Sequence, residues 1–362
     1  MEAHDELSLE ETCLTSYVPH KSEIPKKCFN DIKDLHFDGM DGRYTNISMT
    51  RLQGSKYLML KSSRSLFCVV TSTLKAERVL EFHKAINFFT DGEYVLLVNI
   101  YRPISVHIMR HSQEIGEISF NCKIRSCKNG KPIFNRYEQQ VGQTIYSVDK
   151  YGDMHRIEWQ DIRNGKYCKI WMKPNVDNFF VDKTGGFATI DMNHTLFLHR
   201  NYLSLNSELT VDLRTKVDLL ASNWTVLACV AKCWMVSGDF YGQAIMASIS
   251  NEGKIRSTMK LKLTSSGYRV MYSDIYSIKK ASVRGMRGIM IAIEREGCCH
   301  LISIVYGRMS VLQSIDLIVP DVFEYKYHRL VMNVTATGTK GKFIVGGFDW
   351  TKMITINLNS LA

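Results

Sequence analysis

The segment NFFTD at residues 87–91 recurs as NFFVD at residues 178–182. Each copy is followed by an apolar segment, a turn of about four residues and a second apolar segment. These are YVLLVN, IYRP and ISVHIM after the first copy, and GFATI, DMNH and TLFLHR after the second. The two turns begin at residues 100 and 191. The pattern predicts one β-hairpin that occurs twice.

Five further hairpins along the chain follow the same template. They are YLMLK-SSRS-LFCVVT, TIYSVD-KYGD-MHRIEW, CWMVSG-DFYG-QAIMASI, GIMIAI-EREG-CCHLISIV and KFIVGG-FDWT-KMITINL. The seven turns begin near residues 62, 100, 150, 191, 239, 294 and 348. Their mean spacing is about 48 residues, and four-stranded propeller blades repeat every 40–50 residues or so. The interval between NFFTD and NFFVD therefore corresponds to two blades.

Segments of alternating polarity flank these hairpins. AINFFTD and VDLLAS precede two of them, and CKIWMK and SELTVDL follow two. Four strands per repeat predict an all-β fold, a seven-bladed β-propeller of four-stranded antiparallel blades. A two-layer sandwich cannot readily use about 28 short strands, and a series of small β domains would not keep one period.

The predicted propeller is a single domain of residues 26–362. Its last blade lacks an outermost strand, because only four residues follow KMITINL. We predict that residues 28–37, CFNDIKDLHF, supply this strand and close the ring, which hides the edges of the first and last blades. The predicted blades span approximately 44–82, 85–120, 131–173, 176–213, 217–263, 273–318 and 329–358.

The hairpin turns resemble those of the WD-repeat superfamily, whose repeats often have an Asp near the turn and a Thr shortly after it. Asp349 and Thr351 follow this pattern, as do Asp191 and Thr195, and Asp149 and Asp239 echo it. The resemblance covers residues 44–362, although the chain contains neither a Gly-His nor a Trp-Asp dipeptide. It implies a rigid platform for protein or nucleic-acid partners, usually without catalysis.

Charge is unevenly distributed along this chain of net charge +10. Residues 1–43 hold 5 Lys or Arg against 10 Asp or Glu, and the remainder holds 41 against 26. We expect residues 1–25 to form an acidic tail that is flexible or becomes ordered on a partner. The basic remainder favours acidic partners or simply aids solubility. Without a signal peptide or a membrane-spanning apolar segment, we expect an intracellular protein, cytoplasmic or nuclear, with reduced thiols.

The sequence contains no recognisable pattern for chemistry. Neither Cys122 and Cys127 nor Cys229 and Cys233 is followed by a second pair at metal-ligand spacing. G-x-S-x-G, G-x-G-x-x-G and G-x-x-x-x-G-K-[ST] motifs are absent from the sequence. We therefore expect no catalytic residue, no metal and no cofactor.

In a propeller, the turn within each central hairpin and the connections between blades share one face, which we call the top face. The two other turns of each blade share the bottom face. Aromatic residues at turn tips are common anchors of protein interfaces, and basic residues beside glycines suit phosphate oxygens. The predicted protein-binding residues on the top face are Tyr101, Arg102, Tyr151, Phe240, Tyr241 and Trp350. The predicted anion-binding residues on the bottom face are Arg163, Lys166, Lys280, Arg284, Arg287, Lys340 and Lys342.

The sequence favours a non-catalytic scaffold or adaptor, a subunit of a larger complex that binds proteins through its top face. A binder of nucleic acid or anionic phospholipid, acting through the bottom face, is the alternative. A propeller enzyme with a site in the central channel is the third hypothesis. Packing against neighbouring loops and a solvated charged rim are the plain structural explanations of the same residues.

Overall fold

A computed structural model describes about two thirds of the chain in 21 segments. These are residues 28–37, 48–51, 57–61, 65–70, 75–81, 85–90, 94–99, 105–114, 117–126, 135–149, 151–164, 168–182, 186–199, 209–240, 243–262, 270–276, 287–294, 298–317, 331–336, 341–347 and 351–357.

The described residues form seven four-stranded antiparallel sheets, numbered here from one to seven. Sheet one contains β2 (Ser48–Arg51), β3 (Tyr57–Lys61), β4 (Ser65–Val70) and β5 (Ala76–Glu81), and sheet two contains β6 (Ala85–Thr90), β7 (Tyr94–Asn99), β8 (Ser105–Glu114) and β9 (Glu117–Ser126). Sheet three contains β10 (Asn135–Val141), β11 (Thr144–Asp149), β12 (Met154–Glu158) and β13 (Ile170–Lys173), and sheet four contains β14 (Asn178–Val181), β15 (Phe187–Ile190), β16 (Thr195–His199) and β17 (Leu209–Asp212).

Sheet five contains β18 (Ser222–Val230), β19 (Cys233–Phe240), β20 (Gln243–Ser250) and β21 (Ile255–Lys262). Sheet six contains β22 (Val270–Tyr276), β23 (Arg287–Glu294), β24 (Cys298–Val305) and β25 (Arg308–Asp316). Sheet seven contains β26 (Val331–Ala336), β27 (Lys342–Gly347) and β28 (Thr351–Ile356), with β1 (Phe29–Asp34) beside β28. Two short helices, α1 (Trp159–Arg163) and α2 (Leu213–Lys216), lie in connections.

The middle strands of the sheets are buried on both faces. In β27, the neighbours Ile344 and Val345 are both fully buried, and they belong to different apolar clusters because successive side chains point to opposite faces. The outer strand β25 instead contains only exposed and half-buried residues. The sheets are therefore apolar on both sides and polar at their outer edge.

Neighbouring sheets cover these apolar faces. One cluster joins Phe89 of sheet two to Trp159 in the third–fourth connection of sheet three. Others join sheets three and four, four and five, five and six, and six and seven. Sheet seven also packs on sheet one, where Ile344 meets Leu60. Sheets one and two touch through β2 and β6. The apolar faces of the sheets are therefore covered by the sheets beside them.

Side-chain hydrogen bonds add to the packing between sheets. The amide of Gln139 in β10 donates to the carbonyl oxygen of Val181 in β14 at 2.8 Å, and its oxygen accepts from the Val181 amide at 2.8 Å. Asn178 in β14 accepts from the Val226 amide in β18 at 2.8 Å. In the same way Gln313 in β25 accepts from the amides of Cys28 and Phe29, which fixes the start of β1.

Three local predictions differ from the structure. The segment VDLLAS is predicted as the first strand of its blade, but its residues 217–221 lie in the connection before β18 and only Ser222 belongs to the strand. Its two leucines are exposed rather than alternately buried. Strand β9 continues to Ser126, beyond the predicted limit at residue 120, because it pairs with β8 along ten residues. Strand β22 begins at Val270, three residues before the predicted limit.

Gly307 gives a stability prediction at the junction of sheets five and six. Its φ of +82° favours glycine, and an added Cβ would lie 2.6 Å from Cβ of Arg256. We expect Gly307→Ala to lower the free energy of unfolding by at least about 2 kcal/mol, because overpacking and backbone strain add. Thermal unfolding measures the change.

Gly142→Ala is the matched control, since Gly142 has a φ of +59° but nothing within 4 Å of the added Cβ. It should cost only about 1 kcal/mol, the backbone part alone. Equal losses in the two variants would show that the close contact at Gly307 contributes nothing.

Candidate functional site

The connections between strands lie at two ends of the sheets. Because each sheet is antiparallel, its first–second and third–fourth turns share one end, the bottom face, and its second–third turn lies at the other, the top face. In sheet three the two bottom segments meet, since the Trp159 amide donates to the carbonyl oxygen of Gln143 at 3.0 Å. The third–fourth turn of sheet six contacts sheet five through Gly307 and Ser257, which join at 2.9 Å.

Two top-face hairpin turns share one hydrogen-bond pattern built on an aspartate. Asp149 accepts from the amides of Tyr151 and Asp153 at 2.9 and 3.1 Å. Asp191 accepts in the same way from Asn193 and Thr195 at 2.9 and 2.8 Å. The fourth residue has a positive φ in both turns, 87° at Gly152 and 65° at His194. The aspartates therefore fix the conformation of the turns.

The connection between sheets four and five continues this ordered surface. Asp212 caps helix α2 by accepting from the amides of Arg214 and Thr215. The Leu213 amide donates to the carbonyl oxygen of His194 at 3.2 Å, which ties the connection to the Asp191 turn. Asp218 accepts from the Leu220 amide at 3.0 Å and lies 4.0 Å from the ammonium of Lys260. The segment before β18 is thus held at both of its ends.

Four large apolar side chains are exposed on these top-face segments. Tyr151 is 75% exposed, Met192 58%, Leu219 67% and Leu220 68%. We call these four residues the top apolar patch. The connection 174–177 links the turn of sheet three to sheet four, because Val176 donates to Gly152 and Asp177 donates to Ile190. The four residues therefore lie on the turns of sheets three and four and on the connection that leads to sheet five.

The structure places only one side chain of the predicted protein-binding set. Tyr151 is exposed at a top-face turn, as predicted. Phe240 is the last residue of β19, and Asp239 lies within that strand rather than in a turn. The structure does not describe the side chain of Phe240. The other four residues lie outside the described residues: Tyr101, Arg102, Tyr241 and Trp350.

Sequence reasoning missed Met192, Leu219 and Leu220. Only aromatic residues at turn tips were selected as candidates. Met192 lies in the predicted DMNH turn but is not aromatic, so it was passed over. Leu219 and Leu220 were assigned to a strand, where one of each adjacent pair points to the core. A search for any large apolar residue in a predicted turn would have found Met192.

The predicted anion-binding set lies largely outside the described residues. Arg163 is exposed at the end of α1 and donates to the side chain of Gln143 at 3.2 Å. Lys342 begins β27 on the bottom face and is half-buried. Arg287 begins β23, but the structure does not describe its side chain. The remaining four residues lie outside the described residues: Lys166, Lys280, Arg284 and Lys340. The basic bottom face as a whole stays a prediction.

Two titratable side chains, Lys173 and His199, lie near each other between sheets three and four. Lys173 donates to the hydroxyl of Thr189 at 3.0 Å and lies 4.2 Å above the ring of Phe197. His199 is 3% exposed and stacks on Phe187 with ring centroids 4.2 Å apart. Burial lowers the pKa of His199 to about 4, and the neighbouring Lys173 charge lowers it further. Burial also lowers the pKa of Lys173, although Asp191 opposes the shift.

The described thiols have the properties of structural cysteines. None of the seven forms a disulfide, and most are buried. Burial raises the pKa of Cys229 to about 12 and that of Cys299 still more, which keeps both thiols protonated at neutral pH. Among the described residues there is no cluster of three possible metal ligands. Within the same residues no helix is long and apolar enough to cross a membrane.

Comparisons with known proteins identify the fold. No family model matches the chain, and no curated protein matches it. The N-terminal domain of Nup159 aligns with a TM-score of 0.61 and 10% identity, over 92% of this chain and 97% of that domain.

Two structures of complexes contain similar chains. One is S. cerevisiae Dbp5 bound to Nup159, Gle1, IP6 and ADP, with a TM-score of 0.54 and 11% identity over 91% of this chain and 94% of that one. The other is the mitotic checkpoint complex, with a TM-score of 0.56 and 10% identity over 96% and 99%. At such identities the likeness establishes the fold alone. The chain has a β-propeller architecture, as its sequence predicts.

The Asp191 turn gives a prediction about the top face. Asp191→Ala removes the acceptor of two backbone hydrogen bonds, so we expect the free energy of unfolding to fall by roughly 2 kcal/mol. Asp191→Asn keeps an acceptor oxygen and should retain most of that stability. Thermal unfolding of both variants measures the difference, and equal losses would assign the effect to the charge instead.

His199 predicts a pH dependence of stability. Its pKa in the folded protein, about 4, lies below the ordinary value near 6.5, so the unfolded chain binds the proton more readily. The contribution to stability is complete above about pH 6.5 and falls between pH 6.5 and 4, by at most about 3 kcal/mol. Unfolding in urea across this range measures the slope.

His199→Phe removes the titrating group while keeping a ring beside Phe187. We expect it to reduce the loss of stability between pH 6.5 and 4 relative to the unmodified chain. Phe187→Leu is the control, because it removes the stacked ring but keeps the imidazole, and should therefore lower stability without flattening the slope. Parallel curves for His199→Phe and the unmodified chain would contradict the assignment.

Proposed function

We propose that the protein is a non-catalytic interaction scaffold that binds a protein partner through the top apolar patch. The observation that carries the proposal is the exposure of Tyr151, Met192, Leu219 and Leu220 on segments held by aspartate hydrogen bonds. Large apolar side chains on ordered turns lose little conformational freedom on binding, which favours a tight interface. An intracellular location, as expected from the sequence, forms part of the proposal.

The similar solved structures support this class of function without defining it. Two of the similar chains occur in structures of protein complexes, one with Dbp5, Nup159 and Gle1 and one of the mitotic checkpoint. Propellers are rigid because their strands are paired within each sheet and their faces are covered by neighbours. Such a frame presents connections in fixed positions, which suits a subunit that holds other proteins together.

Affinity purification from native cells tests the proposal. The tagged chain is compared with a variant carrying Tyr151→Ser, Met192→Gln, Leu219→Ser and Leu220→Ser. We expect the variant to lose a stoichiometric partner that the unmodified chain retains in high salt, because apolar burial is not screened by ions. The four positions are exposed, so the folded state should change little in stability.

The outer strand β13 supplies a matched control. Ile170 and Trp171 are 39% and 55% exposed there, away from the top turns. Ile170→Ser with Trp171→Ser should leave the same partner bound. If instead the control loses the partner and the top-face variant keeps it, the binding surface is the outer edge of sheet three and the top apolar patch is not the site.

A further inference from the structure

An exposed aromatic ring lies on the bottom face at the third–fourth turn of sheet six. Tyr306 and Gly307 form this two-residue turn between β24 and β25, with φ of 52° and 82°. Two positive φ angles are typical of a type I′ turn, whose first position favours Asn, Asp or Gly, so a tyrosine is unfavourable there. Tyr306 is also 50% exposed. A strained residue with an exposed ring points to a role other than stability.

Hydrogen bonds fix this turn against sheet five. The carbonyl oxygen of Gly307 accepts from the hydroxyls of Ser248 and Ser257. The Ser257 hydroxyl also accepts from the amide of Met309 at 3.1 Å, so one serine holds the chain on both sides of Arg308. The turn and the start of β25 therefore have a fixed position beside sheet five.

Four exposed basic residues lie in or beside the turns that meet at Gly307: Lys232, Lys254, Arg256 and Arg308. A Cβ added at Gly307 would lie 2.6 Å from Cβ of Arg256 and 3.1 Å from Sγ of Cys233, the residue that follows Lys232. The first–second and third–fourth turns of sheet five therefore both lie near the turn of sheet six. We call the four basic residues and Tyr306 the Tyr306 cluster.

Acidic side chains only partly balance the charge of the Tyr306 cluster. Glu252 lies 3.8 Å from the guanidinium of Arg256 and is 67% exposed. Within the described part of the chain, Lys232, Lys254 and Arg308 form no ion pair. The cluster therefore keeps an excess of positive charge, which attracts anions.

The spacing of these charges suits a row of phosphates better than a single phosphate. The two bottom turns of one sheet are separated by two strand spacings, or about 10 Å, and facing sheets are also about 10 Å apart. One strand of nucleic acid has a phosphate about every 3.4 Å along its axis, so roughly three nucleotides cover this distance. The four cations can therefore contact successive phosphates of one strand.

The exposed ring distinguishes a single strand from other polyanions. An unpaired base can stack on a tyrosine ring, whereas the bases of a duplex are already stacked on one another. The head groups of an anionic membrane and the carboxylates of an acidic protein have no aromatic face to stack. Cations beside an exposed aromatic ring therefore favour single-stranded nucleic acid over these ligands.

We propose that the Tyr306 cluster binds single-stranded nucleic acid, with one base stacked on Tyr306 and phosphates on the four cations. None of its five residues belongs to the anion-binding set that the sequence predicts. The site lies on the face opposite to the top apolar patch. It neither uses nor requires the protein partner proposed there.

Fluorescence anisotropy with labelled oligouridine and oligothymidine tests the proposal on the full chain. Strands of roughly 12 nucleotides exceed the length of the cluster and lie within common site sizes. We expect the logarithm of the association constant to fall against that of the NaCl concentration with a slope of about −3, because each of four phosphate contacts contributes about −0.7. The tighter of the two oligonucleotides identifies RNA or DNA as the preferred strand.

Tyr306→Asn removes the ring and places at the first turn position a residue that tolerates the positive φ, so the fold should be retained. We expect this variant to bind both oligonucleotides at least about fivefold more weakly, and to bind a duplex as the unmodified chain does. Tyr306→Phe keeps the ring and should bind single strands within about twofold of the unmodified chain. Equal affinities of Tyr306→Asn and the unmodified chain for single strands would overturn the proposal.

The basic residues are tested by Lys254→Gln combined with Arg308→Gln, which should reduce the slope to about −1.4. Lys216→Gln with Lys260→Gln is the matched control, because it removes the same charge from exposed residues nearer the top face. The control should leave the slope unchanged. An unchanged slope in the bottom-face variant would contradict the assignment of the phosphate contacts. Binding to vesicles that contain phosphatidylinositol phosphates, without binding to either oligonucleotide, would overturn the proposal in favour of an anionic membrane.

Discussion

The burial of both faces of each sheet is the constraint on which the rest of this structure depends. Ile344 and Val345 are neighbours in β27, and one packs toward sheet one while the other packs toward sheet six. The same division occurs in sheet five, where Trp234 and Met235 enter different clusters. A sheet that is apolar on both faces is stable only between two neighbours, because exposing either face costs roughly 25 cal/mol for each Å².

The pairing of β1 with β28 follows from the same constraint. Without β1, the third strand of sheet seven would be an unpaired edge, and the cluster between sheets six and seven would lose Phe29. Gln313 reinforces the pairing from sheet six. Once the faces are covered in this way, partners have access only to the two ends and the outer strands. The exposed apolar residues lie in those places, as Leu219 at the top face and Trp171 on an outer strand show.

Much of the fold could be predicted from the sequence because a repeated hairpin leaves a repeated pattern. The KYGD and DMNH turns, recognised by their spacing, prove to be the turns of Asp149 and Asp191. The prediction failed at VDLLAS, because its alternation resembles that of a strand although a helix cap and a turn precede β18. Periodicity reports which residues alternate, but not whether a neighbouring strand is present to pair with them.

The candidate sites were harder to predict, because they depend on which residues the fold leaves exposed. Met192 and Leu196 are both apolar residues of the same hairpin, yet one is exposed and the other fully buried. Arg256 and Arg308 likewise belong to two different sheets, and the Gly307 junction brings them together. The N-terminal strand β1 depends on the fold in the same way. It completes sheet seven beside β28 and begins at the bottom end of that sheet, where Phe29 pairs with Ile356. A change that weakens β1 would therefore expose the edge of β28 and reduce the packing between sheets six and seven.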